Sequence, residues 1–274
     1  MELLYSALRI AFGLALLAPL ALYLVQDRLL FFPQPLSTHT RAAVLKARTD
    51  VEEVRITTPD QISLHGWFVR NSSTAKAPTL IYFGGNAEEV SRTVLDADRL
   101  PGVSMLLVNY RGYGMSKGEP SETALFSDAL AIHDYLANRQ DVDLTRIVVM
   151  GRSLGSGVAI YLAAQRPIRA VILATPYDSI TAVAQAMYPF MPVSLLLRHP
   201  FDSYSRAPSI KAHVLALLAQ NDRLITPAHA HRLIGNWGGP STTVALDGAD
   251  HNNVHSHERY WPAIIDFLKQ LNIP

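Results

Sequence analysis

From residue 78 onward, short apolar runs alternate with helix-patterned segments, and this alternation limits the possible folds more than any other feature of the chain. The runs are PTLIYFG (78–84), VSMLLVNY (103–110), RIVVM (146–150), RAVILAT (169–175), HVLALLA (213–219) and TTVALDG (242–248). Between and after them, the patterning predicts helices over about 87–99, 121–138, 154–165, 227–235 and 258–271. Strands that are apolar throughout are buried on both faces, a requirement met by a mostly parallel sheet with helices on either side. VEEVRITT and QISLHGWFVR, split by Pro59-Asp60, add an antiparallel hairpin at one edge. The expectation is an α/β protein with eight strands, whose functional loops lie beyond the carboxyl ends of those strands.

One such end carries Gly151-Arg152-Ser153-Leu154-Gly155. A GxSxG pattern arises by chance in roughly one chain in ten of this length, so its placement decides its meaning. Here a strand ends just before Ser153 and a helix begins just after it, the setting of a nucleophile elbow. The two glycines permit the sharp turn, and the Leu154 N–H points where an oxyanion would form. A phosphate site at the helix N-terminus competes, but no Lys-Ser/Thr follows, so this is not a P-loop.

A serine nucleophile needs a base, and the base needs an orienting carboxylate. Asp222 follows the strand HVLALLA and His251 follows TTVALDG, each at its strand's end and in the chain order Ser, Asp, His. His255 is the reserve for the base. HNNVHSH could also hold a metal, but no carboxylate constellation accompanies it, and neither metal nor cofactor is expected. Asp247 and Asp250 lie nearer in sequence but point away from the imidazole. The backbone N–H of Asn86, after Gly84-Gly85, is the second expected oxyanion donor. NYRGYGMSKGEPSE lacks the spacing of a dinucleotide fingerprint, so Arg111 and its tyrosines are expected to brace a loop beside the site, with Asn109 and Arg152 expected in structural roles and polar contacts to the site as their alternative.

The N-terminus has a different character. IAFGLALLAPLALYLV (10–25) is sixteen residues without a charge, long enough with its flanks to span a bilayer. A cleaved signal peptide would need a small-x-small site, which LALYLVQDRL does not offer, and a buried core helix is the other competitor. The expected organisation is a membrane anchor over 1–27, a linker or wrapping segment over 28–50 and one catalytic domain over 51–274. Arg9 on one side and Arg28 and Arg41 on the other leave the orientation across the membrane unspecified. With 24 Lys and Arg against 23 Asp and Glu, the net charge of +1 gives no footprint for nucleic acid. The absence of cysteine excludes disulfides, thiolate metal sites and a cysteine nucleophile.

YFGGNAEE, NYRGYGMSKGEPSE, GRSLGSGVA, TPYDSI, AQNDRLITPAHA and GADHNN together resemble the α/β-hydrolase superfamily. They look most like its N-terminally anchored, single-pass serine hydrolases. The resemblance covers about residues 28–270 and implies an α/β-hydrolase fold, a Ser153, Asp222, His251 triad and an oxyanion hole from the Asn86 and Leu154 amides. It departs from the pattern at Gly84, where a loop-bracing histidine is usual, and at Gln220, where a glycine is common.

The implied reaction is hydrolysis of a carboxylic ester or thioester through an acyl-enzyme. The segment over about 177–210 occupies the cap position, and Met187, Phe190 and Leu195 are expected to wall an acyl site, with simple core packing as the competing role. An anchored enzyme with such a wall would take lipophilic acyl substrates. A peptidase or aminopeptidase on the same triad and a non-catalytic, membrane-anchored binding module are the alternatives.

Overall fold

The computed structural model describes the backbone of residues 1–70 and 75–274; within the first helix, the side chains of residues 2–4, 7–8, 10–16 and 18 are outside the description. Two helices, α1 (Glu2–Leu30) and α2 (Thr38–Ala47), precede the hairpin β1 (Val51–Thr57) and β2 (Ser63–Val69). Then come β3 (Ala77–Phe83), a 3-10 helix (Val90–Arg99), β4 (Ser104–Val108), α3 (Glu122–Ala137), β5 (Val142–Arg152), α4 (Leu154–Gln165) and β6 (Ala170–Ala174). The cap holds α5 (Ile180–Met187) and α6 (Val193–Leu196), followed by α7 (Ser203–Arg206). The chain closes with β7 (His213–Ala219), α8 (Pro227–Gly235), β8 (Ser241–Leu246) and α9 (Tyr260–Gln270).

The eight strands form one sheet in the order β1-β2-β4-β3-β5-β6-β7-β8. Its hairpin pairs antiparallel and is joined antiparallel to β4, while every pairing from β4 to β8 is parallel. Every residue of β3, β4 and β6 is buried, as apolar strands covered on both faces must be. Two clusters divide the core: one holds Ile81, Val149 and Val158, the other Leu80, Val148 and Ile264. Neighbouring residues of β3 and β5 thus face opposite layers, following the two-residue period of a strand.

The segment expected to be an α-helix over about 87–99 is a 3-10 helix instead. Side chains hold its first turn: the Glu89 carboxylate accepts from Ser91 N–H and the Asn109 carboxamide accepts from Val90 N–H. Half of the expected membrane span over 10–25, residues 10–16 and 18, has side chains that lie outside the described residues. Among the described residues no helix is long and apolar enough to cross a membrane.

The end of α1 is not a free tether. Gln26 is buried and donates to the Leu196 carbonyl at 3.0 Å while accepting from the Arg198 N–H at 2.7 Å. Asp27 pairs with Arg198 at 2.9 Å and with His199 at 3.0 Å. These contacts lock the last turns of α1 to the cap across about 170 positions of sequence.

Candidate active site

β5 ends at Arg152 and α4 begins at Leu154, so Ser153 forms the whole turn between strand and helix. Its φ of +51° and ψ of −118° lie where an L-residue is strained, at a cost of about 1–3 kcal/mol. Close packing imposes this. A Cβ on Gly151 would sit 2.2 Å from the Gly155 carbonyl oxygen, and one on Gly155 would sit 2.1 Å from that of Phe83. The Ser153 N–H still donates to the Ala174 carbonyl at 2.9 Å, so β5 stays paired to β6 through the elbow. The turn is rigid, and it lifts the serine side chain clear of the sheet.

Ser153 Oγ lies 2.9 Å from His251 Nε2, and His251 Nδ1 lies 2.7 Å from Asp222 Oδ2. The second Asp222 oxygen accepts from the backbone N–H groups of Leu224 and Ile225 at 2.9 and 2.8 Å. With the carboxylate almost wholly buried and its other oxygen occupied, Oδ2 has one remaining partner, the imidazole. Asp250 is turned elsewhere, accepting from the N–H groups of Asn252 and Asn253. His255 lines a different cavity, and His257 bonds to the Asp247 carbonyl. Among the described residues no group of three or more metal-ligating side chains is gathered.

The Leu154 N–H is at the first position of α4, where the helix supplies no acceptor. Neither it nor the Asn86 N–H has a hydrogen-bond partner among the described residues, and both residues line one cavity with Ser153. The loop carrying Asn86 has Gly84 at the position where a bracing histidine was expected from the resemblance, and other groups hold it. Tyr110 donates to the Gly84 carbonyl at 2.8 Å, and Glu88 accepts from Gly85 N–H at 2.6 Å. Glu88 also accepts from Tyr82 and from the Arg152 guanidinium at 2.8 and 2.7 Å. Burial pushes the Tyr82 and Tyr110 phenols well above their ordinary range, so both remain neutral donors.

The expected bracing role of the NYRGYG loop is met in detail. The Tyr113 hydroxyl, raised to about 12 by burial, lies 2.9 Å from Asn86 Oδ1. Arg111 pairs with Asp128 at 2.5 Å and with Asp60 at 2.9 Å, tying the loop to α3 and to the hairpin turn. Asn109 is buried and bonds Glu89 at 2.9 Å. Glu88 was not singled out from the sequence; it stands three residues after Gly85, from whose N–H it accepts.

The cavity beside Ser153 has a volume of about 390 Å³, within the range of small-molecule sites. Met187 lines it, as expected, but Phe190 and Leu195 do not: they are 98% and 83% exposed. Phe190 lies on the link between α5 and α6, and Leu195 lies in the four-residue α6, which is too brief to bury both faces. Leu22, Gln26, Leu29, Leu30 and Phe32 take their place from the N-terminal helix and the residues just after it. Residues 22, 26 and 29 share one helix face, but they straddle the end of the apolar run expected to be an anchor, so that spacing was not read as a wall. A larger cavity of about 560 Å³ lies on the other side of Arg152 and Glu88 and does not include Ser153.

A family model described as the alpha/beta hydrolase fold matches residues 78–199. The chain is 35% identical over 230 residues to an uncharacterized protein of Mycobacterium tuberculosis, covering 83% of this chain and 81% of that one. It is 28% identical to the alpha/beta hydrolase domain-containing protein WAV2 of Arabidopsis thaliana, covering 97% and 94% of the two chains. An uncharacterized membrane protein of Saccharomyces cerevisiae is 28% identical over 79% of each chain. Among solved structures, an esterase of Pyrococcus furiosus has the same fold, with a TM-score of 0.68 at 21% identity over 88% of this chain and 98% of that one.

Proposed function

The chain belongs to the alpha/beta hydrolase superfamily, and we propose that within it this protein is a serine hydrolase acting on esters or thioesters of lipophilic acyl groups. The observation that carries the reading is the hydrogen-bonded line from Ser153 through His251 to Asp222, with its serine end on an apolar cavity. In this reading Ser153 Oγ bonds to the substrate carbonyl carbon while His251 Nε2 takes the hydroxyl proton. Asp222 keeps the Nδ1 proton in place and stabilises the imidazolium. The Asn86 and Leu154 N–H groups receive the oxyanion, and collapse passes the proton from His251 to the departing alcohol or thiol. Water then attacks the acyl-serine by the same route, regenerating the enzyme and releasing the acid.

None of the described residues lining the cavity carries a charge. Gln26, its most polar wall residue besides Asn86, spends its carboxamide on the Tyr23 and Leu196 carbonyls and the Arg198 N–H. Such a surface suits an uncharged acyl chain and offers nothing to the free amine an aminopeptidase must recognise. The apolar run over 10–25 and the likeness to a yeast protein named as a membrane protein support α1 as a membrane anchor. Resistance of the membrane-bound chain to alkaline carbonate, with release by detergent, tests that part.

Ser153→Ala is expected to abolish both p-nitrophenyl ester turnover and fluorophosphonate labelling. Turnover that survives the substitution would overturn the assignment. A panel of esters, thioesters and aminoacyl amides separates the chemistries, with the first two expected to react.

A further inference from the structure

Asn86 does more than offer its backbone amide to the site. Its Nδ2 donates to the Leu30 carbonyl at 2.6 Å, and its Oδ1 accepts from the Phe32 N–H at 2.9 Å. The side chain therefore spans the point where α1 ends, satisfying a terminal helix carbonyl and the amide just beyond it. Tyr113 completes the junction, its hydroxyl lying 2.9 Å from both the Phe32 nitrogen and Asn86 Oδ1. The same helix end supplies Leu22, Leu29 and Leu30 to the cavity wall and, through Gln26, is fixed to the cap.

We propose that the last turns of α1 are a working part of the active site: they size the acyl pocket, and through the Asn86 side chain they position the oxyanion loop. The proposal rests on the serine hydrolase reading and deepens it. Its physical basis is that an oxyanion donor acts only when held within a few tenths of an ångström of its place. The grip on the Leu30–Phe32 backbone adds to the Tyr110 and Glu88 bonds that hold Gly84 and Gly85, and it is the one that ties the loop to α1. Asn86 is a positioning residue, because its side chain acts on its own backbone amide rather than on the substrate. The pocket wall and the loop brace sit on one helix end, so acyl fit and oxyanion stabilisation respond to the same element.

The test uses the full chain and measures kcat and KM on p-nitrophenyl acetate, octanoate and laurate, beside labelling of Ser153 by a short fluorophosphonate. Asn86→Ala keeps the backbone N–H but loses the grip, and kcat is expected to fall about 10-fold to 100-fold with KM changed less than threefold. Asn86→Asp keeps the oxygen that accepts from Phe32 and Tyr113 and is expected to fall between wild type and Asn86→Ala. Leu22→Trp narrows the pocket and is expected to lower the laurate-to-acetate ratio of kcat/KM at least tenfold. Leu29→Trp, at a half-exposed position that tolerates the larger side chain, gives the same readout if Leu22→Trp does not fold. An unchanged kcat in Asn86→Ala, or an unchanged chain-length ratio in both tryptophan variants, with wild type active and labelled, overturns the proposal alone. A wild type that neither labels at Ser153 nor hydrolyses any of the esters overturns it together with the hydrolase reading.

Discussion

At the scale of single residues, the site depends on how few choices its atoms have. Asp222 is held by two backbone N–H groups on one oxygen, so its orientation toward His251 is settled before any substrate arrives. Asp222→Asn preserves this shape but reverses the proton. Its carbonyl oxygen would remain on the Leu224 and Ile225 amides, leaving its NH2 group facing His251 Nδ1. The imidazole would then carry its proton on Nε2 and could not accept one from Ser153. The expected outcome is a fall in kcat of about 10⁴-fold with the unfolding midpoint little changed, checked by ester kinetics and thermal melts. Ser153, Asp222 and His251 were legible because each sits at the end of an apolar strand, a local pattern. The grip of the Asn86 side chain was not legible, since its partners on α1 lie 54 to 56 positions away.

At the scale of elements, the cap and α1 define the cavity together. The turn that holds Phe190 and the four-residue α6 that holds Leu195 leave both side chains in solvent, so hydrophobicity alone misassigned the wall. Burial is a property of the pair of elements, and the partner here is the helix that the sequence marks as a separate anchor. Gln26 is the joint between them. Gln26→Ala would strand the Leu196 carbonyl and the Arg198 N–H, both partly open to water, at a cost of about 1 kcal/mol. That corresponds to a fall of about 2–4 °C in Tm, accompanied by faster proteolytic cleavage over residues 187–198, which limited digestion and melting curves would record. The 3-10 helix is a further case. Its side-chain caps come from Glu89 and from Asn109 on the neighbouring loop, and helical periodicity does not carry that information.

At the scale of the whole molecule, Arg111 links three distant parts: the hairpin turn through Asp60, the loop after β4 and the middle of α3 through Asp128. The hydrogen bonds from Arg111 and then from Thr58 hold the Asp60 carboxyl down at about 2, below its ordinary 3.8. Because the folded value lies below the unfolded one, this contribution to stability is complete above pH 3.8 and is lost as the pH falls toward 2. Asp60→Asn should therefore lower Tm slightly at neutral pH and flatten its decline across that acid window. Melts from pH 5 to pH 2 would show an unaltered slope if the pairing were unimportant. The periodicity of apolar runs, the glycines around Ser153 and the chain order of Ser, Asp and His are local or strand-end properties, so the sequence by itself determined the parallel sheet, its antiparallel edge and the three residues that meet at its carboxyl end. Only the tertiary structure decided which surfaces enclose the serine and what braces the loop that carries Asn86. The contacts of α1 with Asn86 and with the cap join residues from 54 to about 170 positions apart, and no short-range pattern encodes a partner at that distance.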